Sequence, residues 1–149
     1  MNINKFTQSS MAAVQGCEKV AMDYGNQEVE QEHLLYALLT IDDSLILKLF
    51  EKMGISKETI INRVEEALRK RPKVQGGQMY IGQNLNNVLV HGEDEAKQMG
   101  DEYVSVEHLF LALMKYASRD MKALFRELGV TREGFLQALS TVRGNQRVT

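Results

Sequence analysis

The chain repeats itself at a fixed offset of 75 residues, and any fold it adopts must accommodate that repeat. Glu32-His33-Leu34-Leu35-Tyr36-Ala37-Leu38-Leu39 returns as Glu107-His108-Leu109-Phe110-Leu111-Ala112-Leu113-Met114. Leu49-Phe50-Glu51-Lys52-Met53-Gly54-Ile55-Ser56-Lys57-Glu58 returns as Leu124-Phe125-Arg126-Glu127-Leu128-Gly129-Val130-Thr131-Arg132-Glu133. Ala21, Gly25 and Val29 match Ala96, Gly100 and Val104 without a gap, and about 14 of the 63 aligned pairs are identical. The chain therefore reads as two copies of one unit, about 6–68 and 81–143. A linker at 69–80 joins them, and 144–149 reads as the start of a linker to a further domain.

Each copy carries the punctuation of four helices. Thr7 is an N-cap for helix one, Phe6 can staple against Met11, and Gly25 closes the helix. Apolar residues recur at helical spacing through Val14, Cys17, Ala21 and Tyr24. Helix two is expected from about Gln31 to Thr40. Helix three is expected from about Asp43 to Met53, stopped by Gly54. Ser56 caps helix four. In the second copy Gln83 or Asn84 starts helix five, whose inner face is Leu85, Val88, Leu89, Ala96 and Met99. Gly100 ends it, Ser105 caps helix six, Gly129 closes helix seven and Thr131 caps helix eight. No stretch shows sustained period-2 alternation. The expected fold is all-α: two tandem four-helix repeats, related by a pseudo-twofold axis, forming one eight-helix domain.

Composition excludes several functions. The net charge of −2 divides evenly: residues 1–75 carry 10 basic and 11 acidic groups, and the remainder 8 and 9. No half is a basic patch, so nucleic acid is not an expected partner. No window holds the ~18 to 20 apolar residues of a membrane span, and no signal peptide is visible. The lone Cys17 reads as a buried apolar filler suited to a reducing compartment, so the expected location is the cytoplasm. Arg69 to Arg71 with Lys73 reads as the solvated, dipole-favoured end of helix four. No G-x-x-x-x-G-K-[ST] or G-x-G-x-x-G motif occurs, so no nucleotide is expected to bind here.

His33 and His108 occupy equivalent positions. A catalytic or metal-binding pair is one reading. The stronger one is that each imidazole ties the first turn of its helix to the preceding loop. Nothing supplies a nucleophile, base and orienter together, so the chain does not read as an enzyme, and no metal or cofactor is expected in it. Met11, Met53, Met99 and Met114 fall on inner stripes. Met79, Tyr80 and Ile81 precede helix five, and Val90 lies about 200° round that helix from Val88. These four are the candidates for an exposed apolar patch, which marks a binding surface.

Two four-helix copies carrying E-H-L-[LF]-x-A-L and L-F-x-x-x-G-[IV]-[ST]-x-E resemble the Clp amino-terminal domain along nearly the whole chain. The segment Arg71-Pro72-Lys73-Val74-Gln75-Gly76 and the ending Val142 to Thr149 are similar to the ClpB, or disaggregase, branch rather than to the protease-linked ClpC and ClpA branch. The resemblance implies a substrate-binding module for unfolded or aggregated polypeptides. Its parent chain would be a homohexameric ATPase using ATP and magnesium and working with the Hsp70 chaperone system; the isolated domain would be monomeric. It also implies substrate-handling roles for Thr7, Asp101 and Glu107, and an apolar groove beside helix five containing Leu89. His91 and His108 stand where ClpB sequences often carry Leu. The expected groove is shallow, runs along Leu89 and Val90 with helix one alongside, and is rimmed by Thr7, Asp101 and Glu107.

Overall fold

The computed structural model describes residues 2–144 and Val148. After a single 3-10 turn at Ile3–Lys5, the first repeat contributes α1 (Gln8–Asp23), β1 (Glu28–Val29), α2 (Gln31–Thr40), α3 (Leu45–Lys52) and α4 (Lys57–Arg69). The second contributes β2 (Tyr80–Ile81), α5 (Gln83–Gln98), α6 (Val106–Lys115), α7 (Arg119–Leu128) and α8 (Arg132–Arg143). Among the described residues, this all-α, eight-helix architecture is the one the repeat implies. Gly25, Gly54, Gly100 and Gly129 all take the left-handed conformation, with φ of 72°, 87°, 74° and 73°. The same glycine thus ends the same helix in both copies.

α2 and α6 form the centre. Both are buried almost all the way round, surrounded by the other helices. They touch one another, with α1 chiefly on α2 and α5 chiefly on α6. Phe110 of α6 makes edge contacts with Phe50 at 5.3 Å and Phe125 at 5.6 Å, and a tilted contact with Phe135 at 4.5 Å. This cluster joins α3, α6, α7 and α8 across the repeat boundary.

Two short parallel pairings, absent from the helical reading, clasp the repeats together. β1 pairs with β2 through Glu28 and Tyr80, and Val29 and Ile81. The pseudo-symmetric copy is a bridge between Phe6 and Val104. Each repeat therefore lends the residues before its first helix to the other repeat. Two-residue strands are too short to leave a periodic signal, which is why the sequence showed none.

One helix start differs from expectation. α3 begins at Leu45, not Asp43, because Asp43 sits at φ 55° and cannot continue a right-handed helix. Ser44 caps it instead, accepting from the Leu47 N–H at 3.1 Å and donating to the Leu38 carbonyl at 2.6 Å. α5 begins at Gln83, as expected, but the residue before it, Gly82, has no side chain to serve as a cap. Glu30 of the other repeat supplies one. Its Oε1 accepts from the Gln31 N–H at 3.0 Å and its Oε2 from the Asn84 N–H at 3.1 Å, so one carboxylate caps both α2 and α5. Gln31 reinforces the junction, donating to the Asn84 and Tyr116 carbonyls and accepting from the Ser118 N–H.

A Cβ on Gly82 would run into the Glu30 carboxylate. Gly82→Ala should therefore destabilise the domain by about 1 kcal/mol, the worth of a lost cap. The sign is decisive. Gly82 has φ −71°, where alanine is ordinarily stabilising by about 0.4–1 kcal/mol through the unfolded state. A gain in the urea midpoint would refute the shared cap.

Candidate functional site

Local packing around α5 sets the geometry of the candidate site. Helical periodicity places Leu89 inside the core, 4% exposed, and Val90 on the outer face, 42% exposed. Tyr80 and Ile81, just before the helix, are 53% and 47% exposed. Met79 is instead partly buried against the core, so it does not join the exposed patch expected of it. α1 lies chiefly on α2, and α5 chiefly on α6, so helix one does not run alongside helix five as expected.

Asp101 and Glu107 do not form an open rim. Their side chains are 0% and 6% exposed. Asp101 Oδ2 meets His108 Nε2 at 2.6 Å, while its Oδ1 accepts from Arg143 Nη2 and, at 2.8 Å, from the Val148 N–H. Arg143 Nη1 lies 3.6 Å from Glu107 Oε2, and Ser105 Oγ donates to Glu107 Oε1. Burial works to raise the Asp101 pKa, but the Arg143, Val148 and His108 contacts outweigh it and hold the carboxyl below its ordinary value. Thr7 is half-buried and accepts from the Ser10 N–H at 3.2 Å, while its own N–H donates to the Val104 carbonyl at 3.0 Å. The three residues thus hold the α5–α6 loop and the start of α1 in place. The groove outlined by Leu89, Val90 and this rim does not take the expected form.

The histidines match the capping role. His33 Nδ1 accepts from the Glu30 N–H at 2.8 Å, and His108 Nδ1 from the Ser105 N–H at 2.9 Å. Each Nε2 then carries the proton toward an equivalent partner, Asn26 at 2.9 Å or Asp101 at 2.6 Å. Both rings are fully buried with both nitrogens engaged, so His108 does not line a groove. Burial, with Arg71 nearby, pushes the His33 pKa down to about 4. Among the described residues, no group of three or more His, Cys, Asp and Glu could hold a metal ion. Burial raises the Cys17 thiol to about 12, which leaves it unreactive.

Arg71 departs from the solvated end expected of the basic run. It bridges Glu28 at 2.7 Å and Glu32 at 3.2 Å, pinning the connecting segment against the first repeat. Glu32 is the counterpart of Glu107, so each copy satisfies the same carboxylate with an arginine that follows or ends its fourth helix.

The feature that sequence reasoning missed is Glu95. It lies on α5 at the inner register, seven residues beyond Val88, and its side chain is 2% exposed. It borders a cleft of about 350 Å³ with Gln98, Met114, Lys115 and Arg132. A carboxylate falling on an apolar stripe was the signal that could have found it. One turn earlier, His91 stacks on Tyr116 with ring centres 4.3 Å apart.

Residues 5–128 match the Clp repeat (R) N-terminal domain. Over its whole length the chain is similar to chaperone protein ClpB of Nitratidesulfovibrio vulgaris, at 42% identity, and of Bacillus cereus, at 37%. It spans only 18% of the length of those curated relatives. The fold is that of the Hsp104 N-terminal domain from Candida albicans, with a TM-score of 0.83 at 22% identity over 97% of this chain and 95% of that one. A ClpV N-domain solved in complex with a VipB peptide is similar at a TM-score of 0.73 and 19% identity, over 99% and 92% of the two chains. Among the described residues, no helix is long and apolar enough to cross a membrane.

Proposed function

The chain belongs to the Clp repeat N-terminal domain family, and from that premise we propose that it engages unfolded or aggregated polypeptide for a ClpB-type disaggregase. The identity to ClpB chaperones, which runs along the whole of this chain, favours this branch over the protease-linked one. In this reading the isolated domain is a cytoplasmic monomer, and the hexamer, the ATP and magnesium sites and the link to Hsp70 belong to the parent chain. Segment 69–80 joins the repeats. Of residues 144–149, read from the sequence as the start of a linker, 145–147 and 149 lie outside the described residues.

The observation that carries the reading is that three apolar side chains on α5 and the strand before it are exposed: Tyr80, Ile81 and Val90. Clients of a disaggregase share exposed apolar segments rather than a sequence, so their site must gain from non-directional burial. Leu89 supports this surface from beneath. Thr7, Asp101 and Glu107 act by positioning the segments around it. Each buried side chain contributes roughly 1.5–3 kcal/mol, opposed by the ordering of the client, so an affinity near ~100 µM is expected.

The test is an NMR titration with an unfolded apolar polypeptide. Shifts should concentrate on α5 and its approach, and persist at high salt. Val90→Asp should weaken binding about tenfold, equivalent to ~1.4 kcal/mol. Unchanged binding by a folded variant, or loss of binding through salt alone, would contradict the assignment.

A further inference from the structure

The outer edge of β2 is an unfinished sheet. Among the described residues the sheet consists of β1 and β2 alone. β1 takes up the Tyr80 N–H, at 3.1 Å through the Gln27 carbonyl, and the Gly82 N–H, at 2.8 Å through the Val29 carbonyl. Successive residues of a strand direct their main-chain groups to opposite edges, so those of Ile81 point away from β1. The alternation extends back to Gln78, whose carbonyl accepts from Gln27 Nε2 at 3.1 Å on the β1 side. Met79 and Ile81 thus turn their main chain outward, and among the described residues these groups have no partner. The side chains report the same gap. Val29 and Ile81 are paired in register and share one face of the sheet, yet Val29 is 1% exposed and Ile81 is 47% exposed. That row stops where a further strand would cover it.

The first repeat shows how this fold closes the same edge. At the 75-residue offset Phe6 stands for Ile81, Asn4 for Met79 and Asn2 for Gly77. The Phe6 N–H donates to the Ile3 carbonyl at 3.1 Å, and the Asn4 N–H to Asn2 Oδ1 at 3.2 Å. Phe6 itself is partly buried against the core. The 3-10 turn at Ile3–Lys5 therefore covers that edge with the chain's own backbone. In the second repeat Gly77 has no side-chain oxygen to offer the Met79 N–H, and the edge stays open. Its occupant has to supply main-chain donors and acceptors at strand spacing, with an apolar side chain beside Ile81. An extended polypeptide supplies the first whatever its sequence, and an apolar one supplies both.

We propose that the outer edge of β2 takes up an extended segment of the client polypeptide as a third strand, its main chain pairing with Ile81 and Met79 and its side chains lying beside Ile81 on one face and Tyr80 on the other. The proposal rests on the polypeptide-binding reading above and deepens it. Main-chain pairing is blind to sequence, so it adds to apolar burial a second contribution that every client can make.

The test is an NMR titration with a short peptide of alternating valine and threonine, carrying a lysine at each end for solubility. The amide protons of Met79 and Ile81 should move downfield as they gain acceptors, while those of Tyr80 and Gly82, already bonded to β1, stay in place. Two variants separate the main chain from the side chain. Ile81→Ala keeps the outward N–H and loses the apolar side chain. Ile81→Pro removes the N–H without costing a β1 bond, and proline is tolerated at such an edge. Ile81→Pro should bind about fivefold more weakly than Ile81→Ala, the net worth of one hydrogen bond. If Ile81→Pro does not fold, the amide shifts of the parent domain decide alone. Binding that leaves the Met79 and Ile81 amides unmoved, as a helical occupant would, overturns the third strand while leaving polypeptide binding intact. So does equal binding by the two folded variants. Failure of the peptide to bind at all would overturn the broader reading as well.

Discussion

Arg143→Ala should lower the unfolding free energy by at least about 3 kcal/mol, because it strips the partner from two buried carboxylates at once. The Arg143 side chain is 9% exposed and reaches Asp101 and Glu107, which are 0% and 6% exposed. Water cannot replace it without opening the α5–α6 loop. Asp101 keeps His108 and the Val148 N–H, so the loss falls at the lower end of the range for a broken buried pair. Glu107 keeps the Ser105 hydroxyl, a neutral donor that cannot balance its charge. For a domain of this length, ~3 kcal/mol corresponds to a fall in melting temperature of about 6 °C or more. Urea and thermal unfolding of the variant provide the measurement. Glu107→Gln in the same background should recover part of the loss, because it removes the stranded charge. A loss below about 1 kcal/mol would show that the network is solvated and the buried pairing is not maintained.

Acidification should weaken the fold well before Asp101 titrates. His33 in the folded state remains neutral down to about pH 4, whereas an unfolded histidine takes its proton near 6.5. Between those values the unfolded chain binds the extra proton. The stability held above ~6.5 is therefore lost progressively as the pH falls. A separation of about 2.5 units implies a loss of roughly 3 kcal/mol across the window, most of it gone by about pH 4.5. Two carboxylates modify the slope. Burial raises the Glu30 pKa, so its protonation favours the folded state as the pH falls and offsets part of the loss. Asp101 is held below its ordinary 3.8, so its contribution is present above that value and is lost only in stronger acid. Urea unfolding at about pH 7 and pH 4.5 tests the prediction. His33→Gln should be less stable at neutral pH but show a flatter pH profile. A parent profile that is flat from 7 to 4.5 would rule out a neutral buried His33.

Local chemistry makes much of this molecule legible in its sequence. Helix ends follow from single residues: Gly25, Gly54, Gly100 and Gly129 take the backbone conformation that glycine permits most readily. Thr7, Ser56 and Thr131 cap their helices as their positions predict. The periodicity of α5 alone separates Leu89, inside, from Val90, outside. The offset of 75 residues is itself enough for the pseudo-twofold plan, since two like amphipathic units bury their apolar faces most completely against each other.

The arrangement between the copies had to come from the tertiary structure. Asp101 and Glu107 lie on a loop and a helix start, where a sequence reading naturally leaves carboxylates in water. They are buried because Arg143 arrives from the last turn of α8. Glu30 caps α5 because the other repeat places a glycine against it. Phe6 pairs with Val104 across most of the chain. Glu95 borders a cleft because α6 and α8 end and begin beside it. Helical periodicity reports which face of a segment turns inward. It carries no information about which distant segment meets that face, and the burial and partnering of a charge depend on that meeting.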